Sequence, residues 1–164
     1  MSSTPDVVIL NTSPLLYLYQ VNQLELLPKL YSTLATTAAV QKELEAGKER
    51  GVDVPDVQNL SWLTIKNVSI PLAIHNTIDL GRGEAEVIAL GLETENSLLV
   101  LDDQLGRRIA KLYQLTYTGT LGILIKAKQA GHLSAILPVI AGLEQRGMWL
   151  TQPVIQMALK LAQE

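Results

Sequence analysis

Hydrophobic and polar positions divide the chain into short apolar runs, each followed by a longer amphipathic segment. The run at 7–10 ends at residues 11–14, where Ser13 suits an N-cap and Pro14 suits a first helical position. The run at 98–101 has no polar alternation, which indicates a strand buried on both faces. We therefore expect buried strands, each leading into a helix.

The same pattern predicts the remaining elements. Helices are expected over 24–30, 38–45, 104–114, 121–130, 134–146 and 153–163, with one more opening at Glu84 and Glu86, and strands over 33–36, 62–66 and 115–118. Segments 46–55 and 70–80 are expected to be loops. Strands that alternate with helices predict an α/β sandwich with a mainly parallel sheet. We expect one domain, 1–164, with its core at about 7–147 and a C-terminal helix at about 153–163.

Two helices carry apolar stripes whose spacing predicts which face is buried. In the helix 104–114, the inner stripe is expected to be Leu105, Ile109 and Leu112. In the C-terminal helix, apolar side chains recur at helical spacing, namely Val154, Met157, Ala158 and Leu161. This second stripe either packs within the monomer, which is the more common outcome, or forms a dimer face.

Composition and charge narrow the class of protein. The 13 basic and 16 acidic residues give a net charge of -3, which argues against binding of nucleic acid by bulk charge. The sequence has no cysteine, which excludes disulfides and thiolate zinc sites. No apolar run approaches the ~20 residues of a membrane span, and no signal peptide is recognisable. We expect a soluble, cytoplasmic protein that does not contact membranes.

Acidic side chains flank the central helix and strand. Asp102 and Asp103 follow the second buried strand, and parallel sheets place their sites at the carboxyl ends of strands. If Glu84 and Glu43 join them, each ionised pair at ~4 Å repels by about 4 kcal/mol at an effective dielectric near 20, so a cation is required. Oxygen ligands favour Mg²⁺ or Mn²⁺, whereas zinc would favour histidine or cysteine.

Structural interpretations of the same acids remain open. Glu84 and Glu86 would also compensate a helix dipole, and Asp102 or Asp103 would also cap the next helix. The occurrence of both acidic pairs in one helix–strand unit, beside the glycines of residues 81–83, favours the functional interpretation. The two histidines, His75 and His132, are expected to face solvent.

A basic segment follows the acidic residues. Residues 104–143 contain no Asp or Glu, and their cations are Arg107, Arg108, Lys111, Lys126 and Lys128. This is either an ordinary solvated face or a surface that follows the phosphates of a nucleic acid. Only Tyr113 and Tyr117 lie nearby, so base stacking is weakly supported.

Three motifs together resemble PIN-domain proteins of the metal-dependent ribonuclease type. They are residues 11–15 (Asn-Thr-Ser-Pro-Leu), 81–85 (Gly-Arg-Gly-Glu-Ala) and 101–104 (Leu-Asp-Asp-Gln). The resemblance is to the short prokaryotic branch related to toxin–antitoxin ribonucleases, similar to DUF3368, and covers about 7–147. It implies a three-layer α/β/α fold, Mg²⁺ or Mn²⁺, and hydrolysis of RNA phosphodiester bonds by a metal-activated water.

The resemblance also implies roles for particular residues. The family's four acidic positions fall, in order, on Asn11, Glu43, Glu84 and Asp103, with Asp102 beside the last as a further metal ligand. Supporting hydroxyl groups fall on Ser13, Thr118 and Thr120. RNA phosphates are assigned to Arg82, Arg107, Arg108 and Lys111. The implied partners are RNA and an antitoxin protein, with a homodimer as a further alternative.

Asn11 departs from the family, because an aspartate is usual there. An amide oxygen can still ligate a hard cation, but one negative charge is lost. The leading hypothesis is therefore a ribonuclease weakened at this position, and the alternative is a catalytically weak or inactive PIN scaffold that binds RNA or a protein. A Rossmann-like phosphatase or nucleotide binder would need an aspartate nucleophile or a glycine-rich phosphate loop after the first strand, and residues 11–14 supply neither.

Overall fold

A parallel β-sheet forms the centre of the computed structural model, which describes residues 4–164. The strands are β1 (Val7–Leu10), β2 (Leu34–Thr37), β3 (Leu63–Lys66), β4 (Ser97–Val100) and β5 (Thr116–Thr118). They are ordered β3-β2-β1-β4-β5, and every neighbouring pair is parallel. The mainly parallel sheet expected from the sequence is confirmed, and β3 lies at an edge as its alternating pattern predicts.

Helices flank this sheet and complete the three-layer α/β/α sandwich. They are α1 (Thr12–Gln20), α2 (Leu26–Leu30), α3 (Ala38–Glu49), α4 (Leu72–His75), α5 (Arg82–Glu93), α6 (Gln104–Leu112), α7 (Thr120–Gln129), α8 (Leu137–Gln145) and α9 (Gln152–Leu161), with a 3-10 turn at Val57–Asn59. None of the helices in residues 4–164 is both long and apolar enough to cross a membrane.

The two apolar runs form the buried middle of the sheet. Side chains of Ile9 and Leu10 in β1, and of Leu99 and Val100 in β4, have no exposed surface. Leu10 pairs with Val100, so both strands end at the same level. The chain winds in one direction from β1 through β2 to β3 and in the other from β4 to β5. The carboxyl ends of β1 and β4 are therefore the topological switch point, where parallel sheets place their sites.

Several boundaries differ from the sequence prediction. Helix α1 begins at Thr12 with Asn11 as its N-cap residue, so the prediction of Ser13 as the N-cap is wrong. The Ser13 hydroxyl group instead donates to a distant carboxylate. Helix α3 continues through Gly47 to Glu49, which shortens the predicted loop, and the segment expected to be a loop at 70–80 contains the short helix α4.

Two predicted apolar stripes are also wrong in part. In α6, Leu112 is 73% exposed, and the face that packs inward carries Gly106 and Ala110. In α9, only Ala158 of the predicted stripe is buried, alongside Ile155. Other members of that stripe are exposed, namely Val154, Met157 and Leu161. Packing of the whole stripe within the monomer is therefore not observed.

Candidate active site

The candidate site lies at the switch point between β1 and β4. Asn11 follows the last residue of β1, and its backbone N–H donates to the carbonyl oxygen of Val100 at 3.0 Å. Asp102 and Asp103 follow β4 after the buried Leu101. The ends of these two strands thus bring residues from two distant motifs together.

Three consecutive side chains at the start of α1 each donate a hydrogen bond to a different carboxylate. This pattern arises because the first turn of α1 faces α3, α5 and the end of β4 at once. The bonds run from Asn11 Nδ2 to Glu84 Oε1 (3.3 Å), from Thr12 Oγ1 to Glu43 Oε2 (2.6 Å) and from Ser13 Oγ to Asp102 Oδ2 (2.9 Å).

The Glu43 carboxylate is fixed between two helices. Its Oε2 accepts from Thr12, and its Oε1 accepts the backbone N–H of Gly83 at 3.2 Å. A Cβ added at Gly83 would lie 2.8 Å from Oε1 and overlap Oε2, so glycine is needed for this approach. The contact between α3 and α5 is reinforced by Glu86, which is 6% exposed and whose Oε1 accepts the N–H of Ala39 at 2.9 Å.

Asp102 is held by three donors. Ser13 Oγ donates to its Oδ2, and Thr120 donates to Oδ1 through its backbone N–H at 2.8 Å and to Oδ2 through its hydroxyl group at 2.7 Å. Both carboxylate oxygens are therefore occupied, and they join the start of α1 to the start of α7. Thr118, the other predicted supporting residue, lies against Gly122, and no hydrogen bond joins its side chain to these acids in residues 4–164.

Asp103 has a structural role that leaves one oxygen available. It is the N-cap of α6, and its Oδ2 accepts the N–H of Gly106 at 2.7 Å. A Cβ built on Gly106 would lie 3.4 Å from both Asp103 Oδ2 and Glu84 Cγ, so these two acids approach each other over this glycine. Among the hydrogen bonds of residues 4–164, Asp103 Oδ1 and Glu84 Oε2 accept none.

Asn11 lies beside Glu84 and carries a buried side-chain oxygen. The residue is 1% exposed, its Nδ2 donates to Glu84, and its buried Oδ1 has no hydrogen-bond partner within the described part of the chain, residues 4–164. Leaving such an atom unsatisfied costs about 1–3 kcal/mol. An amide oxygen beside carboxylates is a donor set that suits a hard divalent cation, so the residues present fit such a metal.

Within residues 4–164, no group of three or more Asp, Glu, His or Cys side chains is close enough to hold a metal ion. The predicted convergence of four carboxylates on one point is therefore not observed. Two of the acids, Glu43 and Asp102, instead have both oxygens bonded to backbone or hydroxyl donors. In the described part of the chain, Glu84 and Asp103 each keep one oxygen that accepts no hydrogen bond, as does Asn11 Oδ1.

Comparison with known proteins shows the family to which the chain belongs. The sequence matches the DUF3368 family, described as a PIN domain, over residues 7–164. The chain belongs to the PIN domain family. Members of this family are typically metal-dependent nucleases that use divalent metals. The resemblance noted in the sequence is confirmed.

A solved structure shows the same fold. The PIN domain is similar to a PilT N-terminus domain protein from the hyperthermophilic archaeon Sulfolobus solfataricus P2, with a TM-score of 0.52 and 16% sequence identity. The match covers 74% of this chain and 92% of that chain. At this identity the likeness shows the fold alone. No curated protein matches the sequence.

The basic segment of this PIN domain is not one surface. Arg107 donates its Nε–H to the carbonyl oxygen of Leu101 at 2.8 Å, and its guanidinium lies 5.4 Å from the centre of the Tyr117 ring. On α7, the other two cations are also engaged, Lys126 over the Tyr31 ring at 4.8 Å and Lys128 with Glu164 at 3.1 Å. Arg108 and Lys111 are exposed on α6. Both histidines are exposed, as predicted.

One site residue was missed by the sequence analysis, although its motif was noted. Thr12 holds Glu43 through a 2.6 Å hydrogen bond between residues 31 positions apart. The available signal was a hydroxyl residue directly after a strand that ends at the switch point. Its partner could not be predicted, because the pairing depends on how α3 packs against α1.

Proposed function

We propose that this PIN domain is a metal-dependent ribonuclease that hydrolyses RNA phosphodiester bonds. The observation that carries the proposal is the buried, unpaired oxygen of Asn11 beside the Glu84 carboxylate. An unsatisfied polar atom is costly in a folded protein unless it has a partner in the working state. A divalent cation is such a partner, and family membership supports this choice.

Mg²⁺ or Mn²⁺ would be held by Asn11 Oδ1 and by the carboxylates of Glu84 and Asp103. Within residues 4–164, Asn11 Oδ1 accepts no hydrogen bond, and each of the two carboxylates keeps one oxygen that accepts none. When bound, the metal lowers the pKa of a coordinated water and stabilises charge on the phosphate. Glu43 lies beside this set as a further acidic group, oriented by Thr12 and Gly83.

Other residues position the site. Asp102 is a positioning residue, because its oxygens are bonded to Ser13 and Thr120 and fix the distance between α1 and α7. Arg107 likewise holds the carbonyl of Leu101, the residue before Asp102. Phosphates on the α6 side are assigned to Arg108 and Lys111, which are exposed.

The direct test is cleavage of a labelled, unstructured RNA by the purified protein. We expect cleavage that requires Mg²⁺ or Mn²⁺, stops when the metal is chelated and is lost in Glu84→Gln. Asn11 would still be able to donate to the amide oxygen of that variant, so its fold is expected to persist. Cleavage that is unchanged in Glu84→Gln, or that needs no metal, would contradict the proposal.

A second candidate function is a scaffold that binds RNA or a protein without cutting RNA. It is favoured by the hydrogen bond from Asn11 Nδ2 to Glu84, which partly compensates the carboxylate charge without a metal. Wild-type protein that binds RNA but never cleaves it, with each metal present, would support the scaffold.

We further propose a biological role for this ribonuclease, namely the toxin of a toxin–antitoxin pair. Expression of the wild type should then arrest the growth of a bacterial host, and Glu84→Gln should relieve the arrest. An antitoxin would be recognised as a small protein that binds the toxin and restores growth. Equal growth with wild type and variant would contradict the toxin role while leaving nuclease activity to be measured directly.

A further inference from the structure

A groove lies between α3 and α5, directly beside the candidate site. Its volume is about 410 Å³, which lies within the roughly 300–1,000 Å³ typical of small-molecule sites. Three of its lining residues have small apolar side chains, namely Ala38, Ala39 and Ala46. Its charged lining residues are Lys42, Arg82, Glu43 and Glu86, of which Glu43 also belongs to the candidate site.

The charges in this groove are unequally engaged. Glu86 accepts from the backbone of Ala39 and from Arg82 Nε at 3.4 Å, and Glu43 accepts from Thr12 and Gly83. Both acids therefore already have donors. The Arg82 side chain is 66% exposed, and among the described residues 4–164 only its Nε is paired, with Glu86.

Lys42 is exposed and forms no ion pair within residues 4–164. Arg82 pairs with Glu86 through its Nε, but its terminal nitrogens and the Lys42 ammonium group can still donate to an anion. Beside three alanines, these donors suit a ligand that has both an anionic group and an apolar ring face.

The position of the groove identifies the ligand class. A ribonuclease must hold the RNA chain on both sides of the phosphate that it cuts. Glu43 lines the groove and also belongs to the candidate site, so an RNA chain that extends from the site past this acid reaches the groove. We propose that the groove is a nucleotide subsite for single-stranded RNA, next to the bond that is cut. This inference rests on the proposed ribonuclease function, because the groove is placed relative to the bond that is cut.

In this subsite, the backbone phosphate contacts Lys42 and Arg82, and the ribose and base lie against the alanines. Phosphate contacts supply most of the sequence-independent affinity, and each one adds to the salt dependence of binding. Alanine offers no stacking ring and no hydrogen-bonding side chain, so the subsite is expected to accept any base. An acidic protein segment is the competing occupant, and the experiment separates the two.

The test measures RNA binding without metal, so that no cleavage is needed. A short, fluorescently labelled, unstructured RNA is titrated in EDTA with the wild type and with the double variant Lys42→Gln, Arg82→Gln. The control is Lys48→Gln, Arg50→Gln, which removes the same charge from exposed positions near the end of α3, outside the groove. Thermal unfolding of both variants checks that they fold.

The groove variant should raise Kd by about tenfold and reduce the slope of log Kd against log salt by about 0.7–1.4, the value for one or two phosphates of a single strand. The control should stay close to the wild type in both measures. An unchanged Kd and slope in a folded groove variant would overturn the subsite. The subsite would also be overturned by an acidic peptide that binds the wild type but not the groove variant and leaves the bound RNA in place.

The outcomes distinguish this inference from the proposed function. Glu84→Gln should bind RNA with the groove intact even though it does not cut. RNA binding that depends on Lys42 and Arg82, in a protein that never cleaves, would retain the subsite and contradict only the ribonuclease.

Discussion

Gly83 donates its backbone N–H to Glu43 Oε1 at 3.2 Å and leaves no room for a side chain of its own. The second residue of α5 therefore fixes an acid of α3. Since the first turn of a helix has unpaired N–H groups and a positive dipole end, it is suited to orienting a carboxylate. The glycine-containing motif before Glu84 thus also orients the Glu43 carboxylate.

Gly83→Ala should separate stability from activity. Alanine favours a helix over glycine by about 0.5–1 kcal/mol, and the atoms that the new Cβ meets are the end of a flexible side chain. We expect a melting temperature close to that of the wild type, but a displaced Glu43 and a fall in RNA cleavage of about tenfold or more. Gly47→Ala in α3 is the control, because its Cβ makes ordinary contacts at 3.5 Å and beyond. Equal cleavage by all three proteins would show that the position of Glu43 does not matter.

Asp102 and Asp103 should respond differently to a metal. Asp103→Asn keeps a good N-cap for α6 but removes a charge, so its stability without metal should change little while Mn²⁺ raises its melting temperature less than that of the wild type. Asp102→Ala leaves Ser13 and Thr120 without their acceptor and should lower the free energy of unfolding by about 1–3 kcal/mol. Its Mn²⁺ shift should remain. The reverse pattern of shifts would identify Asp102 as the metal ligand.

Arg107 should behave as a structural residue, unlike its neighbours. Arg107→Ala removes the hydrogen bond to the carbonyl of Leu101 and the contact with Tyr117, so we expect a loss of about 1–3 kcal/mol in the free energy of unfolding. The pair Arg108→Glu, Lys111→Glu should leave the melting temperature close to the wild type and weaken RNA binding with a shallower salt dependence. Denaturant unfolding and RNA titration give the two readouts. A salt slope unchanged by the pair would make α6 an ordinary solvated face.

Glu164 should make stability depend on pH in the acidic range. The backbone N–H of Ile136 donates to its side chain at 2.6 Å, which together with Lys128 holds the pKa of this carboxyl below its ordinary value of 4.5. A lowered pKa stabilises the fold above the unfolded-state value, and the contribution is lost as the pH falls through the folded-state value. The wild type should thus exceed Glu164→Gln in melting temperature near neutral pH, and the difference should shrink below about pH 4.5. A difference that is independent of pH would exclude this ionisation as its source.

The sheet could be predicted from the sequence because its central strands are continuous apolar runs. The runs at 7–10 and 98–101 are too short to be buried helices, so they are predicted to be strands. In a parallel sheet, the residues that follow two neighbouring strands lie at the same edge. This reasoning also located Asn11, Asp102 and Asp103 at the candidate site.

The division of labour among the acids could not be predicted. Asp102 and Asp103 are adjacent and chemically identical. They differ because Ser13 and Thr120, which belong to other elements, donate hydrogen bonds to Asp102. The basic segment similarly looked continuous in sequence, but its cations lie on two helices, and aromatic rings and a carboxylate engage three of them.

The stripe on α9 was wrong for a different reason. Ile155 and Ala158 have helical spacing as good as that of Val154 and Met157, one residue out of phase. Periodicity identifies an amphipathic helix but does not choose between two overlapping apolar faces. Packing against α7 decides which one is buried.

The most direct test of the proposed function is the variant Asn11→Asp, because the proposal depends on a metal-binding oxygen at Asn11. The variant introduces a carboxylate at this position and removes the amide donor to Glu84. Stability without metal should fall slightly, because another acid joins the cluster, and the affinity for Mn²⁺ should rise. The measurement is the rate of cleavage of an unstructured RNA with Mn²⁺, for the variant and the wild type.

We expect the wild type to cleave RNA, and Asn11→Asp to be faster by no more than about tenfold, or about 1.4 kcal/mol of barrier. Asn11→Ala should lose most of the wild-type rate, since it supplies no oxygen. A wild type that is inactive with every metal, together with an Asn11→Asp variant that binds Mn²⁺ more tightly and is equally inactive, would contradict the nuclease assignment.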